Sequence, residues 1–235
     1  GWIAGMFPDE AQAEIWGHNN DVTIATSFLS VNAKLQRTRG GLTLSGRWRF
    51  SSGVDHCGWA ILLATMPSVD PDQPPDPVFV LVDLASCGVE DTWYSAGLSG
   101  TGSNDILVDG VDVPPHRLMR VLHLRGDETP GSRANNSYLY RLPLFAVFPF
   151  NILGPALGAS RGALDTIVSE LAGQQSVTGA DLSRLATVHQ RIGKANALLD
   201  AADALIAQIR RDIVFKGRAR EEFTMVDRAR YRLNL

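Results

Sequence analysis

The stretch Arg39-Gly40-Gly41-Leu42-Thr43-Leu44-Ser45-Gly46-Arg47-Trp48-Arg49-Phe50-Ser51-Ser52-Gly53 opens on a glycine turn and then alternates. Side chains point to opposite faces of a strand in turn, so Leu42, Leu44, Gly46, Trp48 and Phe50 form one face, with Thr43, Ser45, Arg47 and Arg49 on the other. The turn before this run predicts a hairpin, and Ser51-Ser52-Gly53 predicts where the strand stops. Outward from it, residues 21–113 continue as short runs of Val, Ile, Thr, Phe and Trp punctuated by Gly, Pro and Asp, the pattern of an antiparallel sheet domain. Asp70 to Pro77 carries four prolines in eight residues, which excludes a central strand or a helix and predicts a surface loop. On the other side, Pro8 and acids precede good helix formers up to Trp16, a helix start.

After residue 113 the periodicity disappears. Residues 114–145 hold Pro, Gly, Asp, Asn and Ser without a sustained repeat, which predicts a long connection from sheet to helices. Beyond Phe148 the chain turns helical. Apolar residues at 185, 188, 192, 195, 199, 202, 206, 209 and 213 step by three and four, a heptad seam that predicts a long helix from Leu185 to Ile213 packed in a bundle or across a subunit interface. Glu221 to Leu235, rich in Arg, reads as the start of the next helix. The fold class expected is therefore α+β, a central antiparallel β domain followed by a helical bundle.

The 235 residues are 45% hydrophobic and 20% charged, an ordinary composition for a folded protein with a sizeable core. A net charge of -3 provides no basic field for nucleic acid or an anionic membrane, which leaves a small molecule as the expected ligand. Cys57 and Cys87 lack the spacing of a zinc site or redox pair, so a reducing cytoplasm is expected and no metal. No run approaches a membrane span and no signal-peptide order opens the chain. Because it begins on Gly1 and stops inside a helical pattern at Leu235, the sequence is expected to be a fragment of a longer chain.

Several residues carry candidate chemistry. Ser51 and Ser52 close a strand, where they either form a turn or present hydroxyls and backbone amides to a ligand. Trp48, Phe50 and Trp59 are either sheet core or a wall for a flat ring. His56, in a loop beside Asp55, is placed for proton transfer near neutral pH if it is more than a surface residue. The run Gly100-Thr101-Gly102-Ser103 has the composition of a turn that offers amides and hydroxyls to anionic or carbonyl oxygens. No GxGxxG follows a strand, so NAD(P)H is not expected to bind this chain.

Three strings in order, Ser45-Gly46-Arg47-Trp48-Arg49-Phe50-Ser51-Ser52-Gly53, Gly97-Leu98-Ser99-Gly100-Thr101-Gly102-Ser103-Asn104-Asp105 and Gly158-Ala159-Ser160-Arg161-Gly162-Ala163-Leu164-Asp165, resemble the flavin-dependent monooxygenase branch of the acyl-CoA dehydrogenase superfamily. The resemblance implies an acyl-CoA dehydrogenase-like fold. Residues 1–20 would be the end of an otherwise absent N-terminal helical domain, 21–120 the β domain, 121–147 a crossing loop and 148–235 an incomplete helical bundle. It implies the oxygenase component of a two-component system, in which a separate flavin reductase supplies reduced flavin, FMN or FAD, and an aromatic small molecule is hydroxylated in a homotetramer. By this resemblance Ser51 and Ser52 lie at the N5 and O4 edge of the flavin ring, with Ser27 lining the same pocket. Thr101, Gly102 and Ser103 are cofactor-binding, and Arg141, in Tyr140-Arg141-Leu142-Pro143, reaches the flavin. Arg161 falls instead at a helix interface. Ser99 stands where relatives often have arginine, which puts a charge contact there in doubt. A true acyl-CoA dehydrogenase using FAD is the first alternative; Thr26-Ser27-Phe28-Leu29-Ser30 departs from the Thr-Glu-Pro segment typical of those enzymes. A non-catalytic assembly scaffold is the second.

Overall fold

The Arg39-Gly40 turn joins two long strands, β2 (Leu29–Thr38) and β3 (Gly41–Ser51), paired antiparallel with Thr38 opposite Gly41. The computed structural model describes residues 1–66, 75–126, 128–171 and 173–234, in two units, Gly1–Arg141 and Leu142–Leu235. In the first unit, β3 pairs with β7 (Asn104–Val113), which pairs with β6 (Gly88–Glu90), so one sheet runs β2-β3-β7-β6, antiparallel throughout. The other sheet runs β1 (Ile24–Ser27), β4 (Trp59–Met66), β5 (Asp76–Asp83) and β8 (Leu118–Arg120).

Leu44 and Trp48 of β3, Ile106 and Val108 of β7, Ala60, Leu62 and Ala64 of β4, and Val78, Val80 and Val82 of β5 share one buried core. Burying side chains of the Val, Leu and Ile class stabilises by about 1.5–3 kcal/mol each, so this layer dominates the unit's stability. Ile61, Phe79 and Leu81 alternate to the opposite face of their sheet and are just as buried. There Phe28 stacks on Phe79 with ring centroids 5.0 Å apart, and the turn at Val121–Arg125 packs on β5. Burial on both faces is why β4 and β5 read as unbroken apolar runs.

Three expectations need correction. The sheets are not wholly antiparallel: β1 lies parallel to β4, from Ile24 opposite Trp59 to Ser27 opposite Leu62. The connection from 114 onward contains β8, three residues paired with Val78, Phe79 and Val80, too short to show a period. Of the loop expected over Asp70 to Pro77, residues 70–74 lie outside the described residues, whereas Asp76 and Pro77 open β5. Pro77 is tolerated because β8 reaches only Val78, so the proline has a strand neighbour on one side alone.

Residues 1–20 fold within this unit. Helix α1 (Asp9–Trp16) buries Ala11 and Ile15, and Met6 and Phe7 before it are wholly buried. Gly131 lets two backbones touch: a Cβ there would stand 2.2 Å from the Gly5 carbonyl oxygen and 2.5 Å from that of Phe7. Asn135 Nδ2 donates to the Gly5 carbonyl at 3.0 Å and to Gln12 Oε1 at 2.9 Å. Glu14 accepts from Arg117 Nε at 2.6 Å and lies 2.8 Å from His116 Nε2.

The second unit holds α2 (Leu144–Val147), α3 (Phe150–Glu170), α4 (Ala186–Ala219) and α5 (Met225–Leu233). At a 1.5 Å rise per residue α4 extends about 51 Å. Its seam is the covered stripe: Ile209 and Ile213 are buried and the seam residues from Leu185 to Ile206 half-buried, while Leu198 and Phe215 off the seam are exposed. Arg161 of α3 forms ion pairs with Asp200 and Asp203 of α4, so it sits at a helix interface as expected. Thr224 caps α5 in a box with Asp227, which also takes Lys216 Nζ at 2.6 Å, and Tyr231 donates to Asp212 at 2.6 Å.

Candidate functional site

The first two motifs meet because β3 and β7 pair with a fault at their ends. The register runs Trp48 opposite Ile106 and resumes at Ser51 opposite Asn104, so β3 carries a bulge at Arg49 and Phe50. Phe50 takes φ 60°, a left-handed conformation rare for a bulky residue and characteristic of functional sites. This reverses the alternation read from the sequence. Phe50 does not share the Trp48 face but turns outward at 46% exposure, while Ser51 turns inward and is wholly buried. Ser52 follows on the surface and Gly53, at φ 74°, folds the chain back.

From there the motifs are stitched together side chain by side chain. Gly53 N–H donates to the Thr101 carbonyl at 2.8 Å. The hydroxyls of Ser52 and Ser103 stand 2.8 Å apart, those of Ser103 and Thr101 2.7 Å apart, and Thr101 Oγ1 donates to the Leu98 carbonyl at 2.9 Å. Asn104 Nδ2 donates to both oxygens of Asp55, at 3.0 and 3.2 Å, and Asn104 Oδ1 accepts the backbone N–H groups of Thr92 and Trp93. Arg47 spans three strands, reaching Asp105 at 2.6 Å and Glu90 at 2.5 Å; these bonds to carboxylates push its guanidinium further above its ordinary value.

Around this hub lies an apolar rim. Trp93 donates its Nε1 hydrogen to Leu98 at 2.9 Å and meets Phe50 edge-on at 6.0 Å between centroids, and the Arg49 guanidinium lies over the Phe50 ring at 5.2 Å. Leu98, 77% exposed and also left-handed at φ 56°, completes the rim. Beyond Gly97 and Gly100 there is open space, for a Cβ at either would meet nothing within 4 Å.

Of the residues singled out in the sequence, Ser52, Thr101 and Ser103 come together as one hydrogen-bonded group. Gly102, at φ 48°, makes their turn, and a Cβ on it would lie 3.1 Å from Asp55. Within this turn Thr101 N–H goes to Leu98 and Gly102 N–H to Ser99, so those two amides are taken up inside the loop. Nor does the serine turn expose amides, since Ser52 N–H goes to the Phe50 carbonyl. Ser51 lies beneath the surface with a buried hydroxyl that has no hydrogen-bond partner among the described residues. Ser27 is buried at the end of β1 and donates to the Arg49 carbonyl at 2.5 Å, which ties it to the bulge. Trp48 is no wall for a ring: it is wholly buried in the core, its Nε1 donating to Leu63 at 2.8 Å. Trp59 is buried under the Arg117 guanidinium at 4.8 Å. His56 is exposed beside Asp55, and its carbonyl accepts from Thr23 Oγ1 at 2.5 Å. Arg141 ends the turn at Tyr138–Arg141, which Thr129 Oγ1 holds through the Tyr140 carbonyl at 3.0 Å, with Tyr140 packed at Gly5. That anchors Arg141 beside the N-terminal segment, and no hydrogen bond among the described residues joins it to the Ser52 group.

Sequence reasoning did not assign roles to Asp55, Trp93, Asn104, Arg47 and Asp105. Their signal is faint because each acts through a partner on another segment of the chain. The polar Asn104-Asp105 pair ahead of the apolar run from Ile106 is the trace that could have flagged them.

These contacts join an exposed hydroxyl, that of Ser52, through Ser103, Thr101 and the Leu98 carbonyl to Trp93 and so to Phe50. Two hollows of about 610 and 600 Å³, one along Arg210–Ala219 of α4 and one beside the Arg39-Gly40 turn, contain none of these residues.

Comparison with known proteins agrees with the fold. Residues 151–234 match the family described as acyl-CoA dehydrogenase, C-terminal domain. The chain is 33% identical to the FADH(2)-dependent resorcinol hydroxylase, oxygenase component, of Rhizobium sp. (strain MTP-10005), over 97% of this chain and 58% of that protein. It is 35% identical to the oxygenase subunit HsaA of a flavin-dependent monooxygenase from Rhodococcus jostii (strain RHA1), over 71% of this chain and 43% of that one. The crystal structure of 3-HSA hydroxylase from Rhodococcus sp. RHA1 superposes with a TM-score of 0.89 at 30% identity, covering 99% of this chain and 59% of that one. The fold and the paired motifs define an acyl-CoA dehydrogenase-like protein. The chain belongs to the flavin-dependent monooxygenase branch of that superfamily, and it spans under two thirds of the length of these relatives.

Proposed function

We propose that the protein acts as the oxygenase component of a two-component flavin-dependent monooxygenase that hydroxylates an aromatic small molecule, phenolic, steroid-derived or polyketide. The observation that supports this most is the convergence of Ser52, Ser103 and Thr101 with Phe50 and Trp93 on one face. Reduced flavin, FMN or FAD, held there would supply the two electrons and the oxygen-activating ring needed to place one atom of O2 on an aromatic carbon and release the other as water. Ser52 would hold the ring edge, and Phe50, Trp93 and Leu98 would exclude water from it. Ser51 backs the turn from below and Ser27 holds the bulge that turns Phe50 outward. Arg141 is proposed to answer the negative charge of the reduced cofactor, since a guanidinium stays charged and binds anions in pairs of hydrogen bonds. His56 is the proposed proton carrier at the exposed side.

A separate flavin reductase is proposed as partner, supported by the lack of a dinucleotide fingerprint in the sequence. A homotetramer is proposed on the exposed apolar residues Ile152, Leu198 and Phe215 of the helical unit. A cytoplasmic location is proposed on the two free cysteines; burial pushes the Cys87 thiol up to about 11. No helix among the described residues is long and apolar enough to cross a membrane. The division into residues 1–20, 21–120, 121–147 and 148–235 is proposed as the family layout of the chain. The test is to supply the full-length protein with a flavin reductase, NADH, FMN or FAD, and a panel of phenols, and to look for a product heavier by one oxygen. Flavin oxidation that yields only hydrogen peroxide with every phenol would contradict the proposal.

A further inference from the structure

The Ser52 group contains three hydroxyls and ends on a carbonyl, and that end decides where every proton lies. Leu98 O can only accept. It stands 2.9 Å from Thr101 Oγ1, close enough that two oxygens without a proton between them would repel, so the Thr101 proton lies in that contact. The same carbonyl also takes the Trp93 indole N–H and the Thr101 N–H, donors that cannot reverse. With the Thr101 proton spent, the 2.7 Å contact between Thr101 and Ser103 must use the proton of Ser103. The 2.8 Å contact between Ser103 and Ser52 must then use the proton of Ser52. Three contacts consume three protons, and any other assignment leaves one contact bare.

The consequence falls on Ser52, the only exposed hydroxyl in this chain of contacts. Its Oγ proton points inward to Ser103 and its backbone N–H is taken by Phe50, while Gly53 N–H beside it is taken by Thr101. What Ser52 turns outward is a pair of lone pairs. We propose that Thr101 and Ser103 are positioning residues that fix the proton polarity of Ser52, so that the site accepts a hydrogen bond from its ligand and discriminates between the redox states of a flavin.

This rests on the flavin reading of the site. N5 of the reduced ring carries a hydrogen and donates, whereas N5 of the oxidised ring has only a lone pair and would face those of Ser52. Thr101 and Ser103 need not touch the cofactor to act. Removing either releases the chain: without the Thr101 hydroxyl, Ser103 is free to donate to Ser52, and Ser52 becomes free to donate outward to an oxidised ring.

The experiment compares equilibrium dissociation constants of the full-length protein for oxidised FMN in air and reduced FMN under anaerobic conditions, in wild type, Thr101→Val, Ser103→Ala and Thr101→Ser. The expected result is a preference for reduced FMN in wild type, and a ratio of the two constants that shrinks about three- to tenfold in Thr101→Val and Ser103→Ala, the worth of one hydrogen bond. Tighter binding of the oxidised form should account for most of the change. Thr101→Ser, which restores the hydroxyl, should keep the wild-type ratio. Binding of both redox states with an unchanged ratio in Thr101→Val and Ser103→Ala would overturn the polarity assignment and leave the cofactor reading standing. Where FMN does not bind, the same comparison is made with FAD; failure of wild type to bind either flavin in either redox state would overturn both.

Discussion

Replacing Asn104 by aspartate changes one atom type at the point where the two motifs are joined. The Oδ1 acceptor that holds the Thr92 and Trp93 N–H groups is retained, but the amide that donates to Asp55 at 3.0 and 3.2 Å becomes a second carboxylate oxygen. Losing a hydrogen bond to a charged group costs about 1.5–3 kcal/mol. Two carboxylates about 3 Å apart repel by roughly 1 kcal/mol more at the water-like dielectric appropriate to the exposed Asp55. The expected loss at neutral pH is therefore about 2.5–4 kcal/mol, or a fall in Tm of about 5–15 °C for a protein of this size. The sign with pH follows from the pair. Crowding raises the proton affinity of the two carboxylates in the folded state above that in the unfolded chain, so the folded variant binds the extra proton and its deficit shrinks as pH falls. Asn104→Ala, which loses the amide without adding charge, should show no such recovery. Urea denaturation followed by tryptophan fluorescence at pH 8 and pH 5 measures both. An Asn104→Asp protein within about 0.5 kcal/mol of wild type at pH 8, or one whose deficit is the same at both pH values, would refute the latch between Asn104 and Asp55.

Ser52→Ala should weaken binding of reduced FMN about three- to tenfold and raise the hydrogen peroxide released per flavin oxidised, read by anaerobic titration and a peroxidase assay; unchanged values would remove Ser52 from the site. Gly131→Ala should force the Gly5 and Phe7 carbonyls away from the added methyl group, costing about 1–3 kcal/mol and exposing residues 1–20 to protease before the sheets unfold. For Glu14, burial alone would raise the pKa, but hydrogen bonds from Arg117 and His116 outweigh it and hold the carboxyl below its ordinary 4.5. The stability this contributes is present above that value and lost as pH falls through the lowered one, so Glu14→Gln should lower the urea midpoint near neutral pH and match wild type in acid.

What could be read from the sequence was what repeats locally. The seam from Leu185 to Ile213 is visible because helical packing imposes its period on neighbouring turns, and it coincides with the covered stripe of α4. Leu44 and Trp48 were legible as one face of β3 for the same reason. Phe50 was not, because its direction depends on a bulge set by the register with β7, a partner far along the chain. β8 escaped because three residues carry no period and are extended only through pairing with β5. In the site, Ser52 and the Thr101–Ser103 turn each stood out as polar residues at strand ends. Their meeting across 51 positions, and the consumption of their amides by Phe50, Leu98 and Ser99, are tertiary facts. Arg47 and Asp105 looked like ordinary solvated charges until the sheet brought them to 2.6 Å.

The Ser52, Phe50 and Trp93 face is proposed to receive the edge of a reduced flavin. Its most direct test is a crystal structure of the full-length protein grown anaerobically with reduced FMN. Ring density is expected against Ser52 Oγ, flanked by Phe50 and Trp93, with Trp48 still buried. Flavin found instead in the hollow along Arg210–Ala219 or beside the Arg39-Gly40 turn, with the Ser52 face empty, would contradict it.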